Sequence, residues 1–150
     1  MEALQQISPG IDEQSRLLYV QTFGCQMNEY DSLRVQRILA HKGYRLTMDL
    51  ALADVIFLNT CSVGEKAEQK VYSFLGRLRR HKLLNPRLII VVAGCVAQQL
   101  GKTLLQRFDY LDLVVGTRGI SAIADLLEVV SEKACRLAHL PEQPDEGYYA

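Results

Sequence analysis

The sequence predicts an α/β domain: a doubly wound, mainly parallel sheet of about five strands with helices on both faces. Three observations predict it. Short apolar, β-rich runs alternate with longer stretches of helical periodicity, the pattern of successive βα units. Two of the runs, DVIFLN at 54–59 and RLIIVVA at 87–93, are continuously apolar rather than alternating, as strands covered on both faces require. The chain has 150 residues, a common size for one domain, and 49% are hydrophobic, enough for a packed core.

The elements follow in order. Residues 1–15 are polar and read as a flexible leader, with no apolar signal segment. Leu17 to Thr22 reads as the first strand. Asn28 is a candidate N-cap, with Glu29 and Asp31 in a first turn whose dipole favours acids. Leu33, Val35, Ile38 and Leu39 form a helical stripe, and Gly43 suits the position after the helix, placing it at 29–42. Tyr44 to Thr47 is a short strand, and the connection at 47–54 has room for only a turn or two of helix. After the strand at 54–59, Ser62 and Glu65 have capping-box spacing, which predicts a helix over 63–84 that stops before Pro86. The strand at 87–93 leads to a helix over 97–108 weakened by Gly101. Asp112 to Val115 is the fifth strand. Residues 119–133 form the last helix, with Ile120, Ile123, Ala124, Leu127 and Val130 on one face. The folded domain is thus expected over 16–133. Residues 134–150, with Pro141, Pro144 and Gly147 among acids, read as a linker.

Composition narrows the function. Seventeen basic residues balance seventeen acidic ones, so the whole domain lacks the net positive charge usual in nucleic-acid binders. No apolar run approaches the roughly 20 residues that span a bilayer. The expectation is a cytoplasmic, membrane-free monomer. In a reducing compartment its cysteines serve packing, catalysis or metal ligation rather than stable disulfides. No G-x-G-x-x-G and no P-loop occurs.

Cys25, Cys61 and Cys95 each stand where a strand-like run ends and a helix-like run begins. Five strands suit the flavodoxin-like order 2-1-3-4-5, in which the strands before these cysteines are adjacent, about 4.8 Å apart. Ligands of such sheets bind at the strands' carboxyl ends. Helix N-termini close behind each thiol would favour thiolates, and three convergent thiolates suit a soft metal or an iron–sulfur cluster. A zinc site with a histidine as fourth ligand stays open, although His41, His81 and His139 are expected away from this edge. Buried packing cysteines are the plainer alternative. Cys135 falls outside the junction pattern and reads as incidental. Asn28 and Asn59 flank the motifs, and each serves either as a hydrogen-bond donor to the site or as a cap or turn residue. Arg77 to Lys82 (RLRRHK) is the densest basic run, more simply a solvated helix face than an RNA contact.

GCQMNEYDS, NTCSVGEKAEQK, AGCVAQ and VVGT resemble, in order, landmarks of the methylthiotransferase family's N-terminal domain, and the likeness spans about residues 17–130. The resemblance implies that Cys25, Cys61 and Cys95 hold a 4Fe–4S cluster that supplies or positions sulfur; it does not extend to Cys135. GCQMN is similar to the MiaB-type branch, which methylthiolates an isopentenylated adenosine beside the tRNA anticodon. The branch acting on a ribosomal protein usually carries Pro-Lys where this chain has Gln26-Met27. Gly64 departs from the arginine often found at that point of the tRNA branch. The resemblance also implies a radical-SAM domain in cis, with a second 4Fe–4S cluster and S-adenosylmethionine. Its C-x-x-x-C-x-x-C motif does not occur in these 150 residues, and no catalytic residue is assigned among them.

Overall fold

The computed structural model describes residues 15–24 and 26–142. Six parallel strands form one sheet: β1 (Arg16–Thr22), β2 (Tyr44–Leu46), β3 (Val55–Thr60), β4 (Ile89–Gly94), β5 (Leu113–Val115) and β6 (Leu137–His139), in the order β2-β1-β3-β4-β5-β6. The helices are α1 (Gln26–Ala40), α2 (Ala67–Leu84), α3 (Cys95–Leu100), α4 (Lys102–Arg107) and α5 (Ile123–Lys133).

Every residue of β3 and β4 is buried, which accounts for their unbroken apolar runs. Alternate side chains feed two cores. Ile56, Leu58, Ile90 and Val92 pack with Val71, Leu75 and Leu78 of α2 and with Val96 and Leu104 of α3 and α4. Phe57, Val91 and Ala93 pack with Val35 and Leu39 of α1 and Ile123 and Leu127 of α5. The sheet is therefore doubly wound, as the alternation of runs predicts.

The sixth strand is the main difference from the expected count. Leu137–His139 is only three residues long and precedes Pro141, so the sequence pattern masks it within the stretch read as linker. Two interactions recruit it. Leu137 and Ala138 turn to opposite cores, and Arg136 donates to the carbonyls of Leu111 (2.7 Å), Leu105 (2.6 Å) and Phe108 (2.8 Å).

Helix starts also shift. The Ser62/Glu65 capping box does not form; α2 begins at Ala67 behind Lys66, which makes no side-chain cap. Gly64, with φ 104°, turns the chain first, and residues 61–66 lie outside any helix. Asn28 is not an N-cap but a buried residue within α1. The helix expected over 97–108 is two short helices parted at Gly101, and the last helix opens with a 3₁₀ turn at Ile120–Ala122. The β2–β3 connection holds one 3₁₀ turn, Leu50–Leu52. Among the described residues, no helix is long and apolar enough to cross a membrane. The expected leader, apart from residue 15, and the tail beyond residue 142 lie outside the described residues.

Candidate metal centre

Strand register sets the geometry of the cysteine junctions. Thr22 pairs with Asn59 across β1 and β3, and Thr60 pairs with Gly94 across β3 and β4. Cys61 and Cys95 are each one residue past a paired position, so the sheet places both at its carboxyl edge on adjacent strands. Cys61 is buried and Cys95 partly so, and neither is in a disulfide. Cys25 lies outside the described residues, but both its neighbours, Gly24 and Gln26, are placed.

Gly24 brings the first junction to the second. Its backbone has φ 130° and is so close to Cys61 that any Cβ there would collide with the Cys61 Cβ. Gly94, with φ 100°, packs against Thr60 in the same way, its missing Cβ leaving room for the Thr60 carbonyl and the Asn59 side chain. Both glycines are thus required by a left-handed backbone and by close approach.

A buried polar clasp ties the three junctions together. The Thr60 hydroxyl donates to the Ala93 carbonyl (2.7 Å) and accepts from the Val96 N–H (3.1 Å), fixing the β4–α3 turn that carries Cys95. Asn28 Nδ2 donates to the Thr60 carbonyl at 2.8 Å. Asn59 Nδ2 donates to the Asn28 carbonyl (2.7 Å) and to Ser32 Oγ (3.1 Å), and Ser32 Oγ shares a hydrogen bond with Thr22 Oγ1 at 2.8 Å. The Asn59 amide donors are therefore committed to α1, not to a ligand. Thr22, Ser32 and Thr60 were not singled out from the sequence. The signal for Thr60 and Asn59 was a polar pair closing an apolar strand.

Two further observations concern the thiols. The Val63 N–H donates to Cys61 Sγ at 3.5 Å, a contact of the kind that tunes iron–sulfur sites. The expected helix N-terminus stands behind Cys95, the first residue of α3, but not behind Cys61, because α2 starts six residues later. Among the described residues, no three His, Cys, Asp or Glu side chains gather to hold a metal ion. Cys61 and Cys95, two free thiols on adjacent strand ends, are soft donors of the kind that iron–sulfur clusters take.

Cys135 is elsewhere. It lines a cavity of about 710 Å³ at the opposite, amino edge of the sheet, with Arg16, Lys82, Asp112 and Arg136. His139 corrects the expectation for the histidines. It ends β6 opposite Val115, its carbonyl accepts from the Gly116 N–H (2.8 Å), and its ring abuts Gly119. It therefore lies on the cysteine edge, though β5 separates it from β4. The parallel run of the unexpected β6 carries it there.

Comparison with known proteins follows this geometry. Residues 17–116 match the model of a family described as "Uncharacterized protein family UPF0004". The chain belongs to the UPF0004 family. Its relatives include proteins named tRNA-2-methylthio-N(6)-dimethylallyladenosine synthase. That of Syntrophobacter fumaroxidans is 68% identical over 133 residues, covering 89% of this chain and 29% of the relative. That of Desulfotalea psychrophila is 51% identical over 115 residues, covering 77% of this chain and 26% of the relative. That of Buchnera aphidicola is 47% identical over 116 residues, with the same coverage. The chain thus spans less than a third of these relatives' length. These relatives bear out the resemblance to the N-terminal domain of MiaB-type methylthiotransferases. A solved structure of two RcsB dimers bound to two parallel DNAs superposes with a TM-score of 0.55 at 13% identity. It covers 85% of this UPF0004 chain and 64% of that chain, a likeness of fold alone.

Proposed function

We propose that this UPF0004 domain holds a 4Fe–4S cluster on Cys25, Cys61 and Cys95, within a methylthiotransferase that acts on an isopentenylated adenosine beside the tRNA anticodon. The observation that carries the proposal is the convergence of the three junctions: Thr60 registered on Gly94, and Gly24 against Cys61. Names of relatives up to 68% identical support the substrate. When bound, such a cluster would supply or position the sulfur, with one iron left without a protein ligand. The chain's own part is to present thiolates at one edge of the sheet, with the clasp fixing the β3 and β4 ends that carry Cys61 and Cys95. S-adenosylmethionine and a second cluster belong, on this reading, to a radical-SAM domain in cis, and the tRNA anticodon stem-loop is the partner. The folded domain, expected over 16–133, is extended on this reading through β6 at Leu137–His139, with the stretch after it leading toward that second domain. The protein works in the cytoplasm as a monomer.

Anaerobic reconstitution with iron and sulfide tests the cluster. Parent chain and Cys135→Ser should take up equal iron and inorganic sulfide. Cys25→Ala, Cys61→Ala and Cys95→Ala should each lose stable incorporation, because two thiolates hold a four-iron cluster poorly. Equal losses in all four variants, or zinc without sulfide in the parent, would reject the assignment.

A further inference from the structure

The two faces of the sheet differ in charge. The chain as a whole is neutral. Yet the helices α2, α3 and α4 hold seven Lys and Arg and a single acid, Glu68, with Asp109 in the turn that follows. The helices of the other face, α1 and α5, carry five acids and three bases. A balanced total thus hides a strongly basic face, the footprint expected of a phosphate-binding surface.

Aromatic rings organise that charge. Arg107 is 4.0 Å from the centroid of Tyr72 and 5.7 Å from that of Phe108. Phe108 in turn lies 5.9 Å from Tyr72 and 6.0 Å from Tyr110, and Arg79 is 6.0 Å above Tyr110. The five side chains form one continuous ribbon across α2, α4 and the turn after it. The Tyr110 hydroxyl donates to the Leu75 carbonyl at 2.7 Å, which fixes the ring under Arg79. Both arginines are exposed, and no acid among the described residues pairs with either.

Arg77 lies over Phe74 as well, 5.2 Å from its centroid, while two other cations nearby serve structure. Lys82 is paired with Asp112, and Arg136 spends its donors on carbonyls. Arg79 and Arg107 are different: their stems rest on ring faces and their guanidinium forks are unspent. Holding a fork on a ring lowers the entropy cost of engaging a phosphate with two hydrogen bonds.

We propose that the α2–α4 face is an RNA-backbone contact, with Arg79 and Arg107 as its phosphate-binding residues. It reads charge and shape, not sequence, and so orients an RNA whose reacting base goes elsewhere. The proposal rests on the reading that the partner is tRNA, and it adds where this domain touches it.

The test measures binding of a fluorescent anticodon stem-loop to this chain by anisotropy, over a range of salt concentrations. Arg79→Gln/Arg107→Gln should weaken binding roughly tenfold and reduce the slope of log affinity on log salt by about 2, one per phosphate contact. The loss should be equal for stem-loops of unrelated sequence. Arg79→Lys/Arg107→Lys should recover much of the affinity. A control on the opposite face, Arg34→Gln/Arg37→Gln, should change neither quantity. Thermal melts confirm folding of each variant. Binding that is absent, or equally weakened by the control, would overturn the proposal, as would preference for an acidic protein over RNA. Iron and sulfide content of the same preparations separates the two readings. A loaded cluster without RNA binding rejects only this surface, and RNA binding without a cluster rejects only the metal assignment.

Discussion

Asn28 and Asn59 grip each other across α1 and β3. Asn59 Nδ2 reaches the Asn28 carbonyl at 2.7 Å, while Asn28 Nδ2 reaches past Asn59 to the Thr60 carbonyl at 2.8 Å. Asn59 is 1% exposed, so these bonds have no water to replace them. Asn59→Ala would remove two hydrogen bonds and leave a void beside α1, although the Asn28 carbonyl keeps its partner within the helix. Lost bonds of about 1 kcal/mol each and the void both destabilise. The expected loss is about 3 kcal/mol in urea unfolding, with an unchanged m-value. A loss below about 1 kcal/mol would mean that the clasp is not a structural tie.

Gly94 faces a different constraint. Its φ of 100° is unfavourable for any residue with a Cβ, and that Cβ would run into the Thr60 carbonyl, 2.8 Å from Asn59 Oδ1 and Thr60 N. Backbone strain of about 1–3 kcal/mol and overpacking of similar size both apply. Gly94→Ala should therefore lower the melting temperature by roughly 10 °C. Because Cys95 is next in the chain, iron uptake should fall even in the folded fraction. Gly64 provides the contrast: its φ is 104°, but nothing lies within 4 Å of a Cβ there. Gly64→Ala should cost only the strain. Equal losses at the two sites would show that the contact with Thr60 contributes nothing.

These two positions mark what the sequence could and could not show. Continuous apolar runs revealed β3 and β4, and their order followed from the rules of α/β sheets, so the placement of Cys61 and Cys95 at one edge was legible. The clasp was not, because Asn28 and Asn59 are far apart in sequence and each had a local explanation as cap or strand-end residue. The start of α2 was misread for a related reason. A capping box is a local signal, and Gly64 turns the chain before it can act. β6 escaped notice because three residues carry no periodicity; Arg136 and the free edge of β5 make it a strand. The basic face was hidden by a neutral total charge, since charge is sorted between faces only once the helices are placed.

Asp112 is the anchor of the amino edge. Its Oδ2 accepts from Lys82 Nζ at 2.7 Å and from the Ile90 N–H at 2.9 Å. Lys82 also donates to the Leu88 carbonyl. The pair is only partly exposed, 19% for Lys82 and 15% for Asp112, so the backbone bond matters more than the charge. Asp112→Ala should cost about 2 kcal/mol, since it orphans the Ile90 N–H and takes one of two partners from the Lys82 ammonium. Lys82→Met, which keeps the packed stem, should cost less than half of that. Iron uptake should be unaffected by either, because the cysteines are at the other end of the strands. The reverse order of destabilisation would show that the ion pair dominates.

Asp31 gives a pH dependence with a definite sign. Burial raises its carboxyl above the ordinary 3.8, and Arg34 on the same helix opposes the rise only in part. The native state therefore holds this proton to higher pH than the unfolded chain does. Above 3.8 the unfolded chain ionises first, so stability falls as pH rises through the window up to the native value, and the penalty persists at neutral pH. Asp31→Asn removes it. The variant should melt above the parent at pH 7, by no more than about 0.5 kcal/mol for a site this close to the surface. The gap should close as pH falls below 3.8, where both chains are neutral at this position. Added salt should widen it, because screening weakens the help from Arg34 while leaving burial unchanged. Paired thermal melts from pH 3 to pH 7 measure the difference directly. A parent more stable than Asp31→Asn at pH 7 would show that Arg34, not burial, controls this carboxylate.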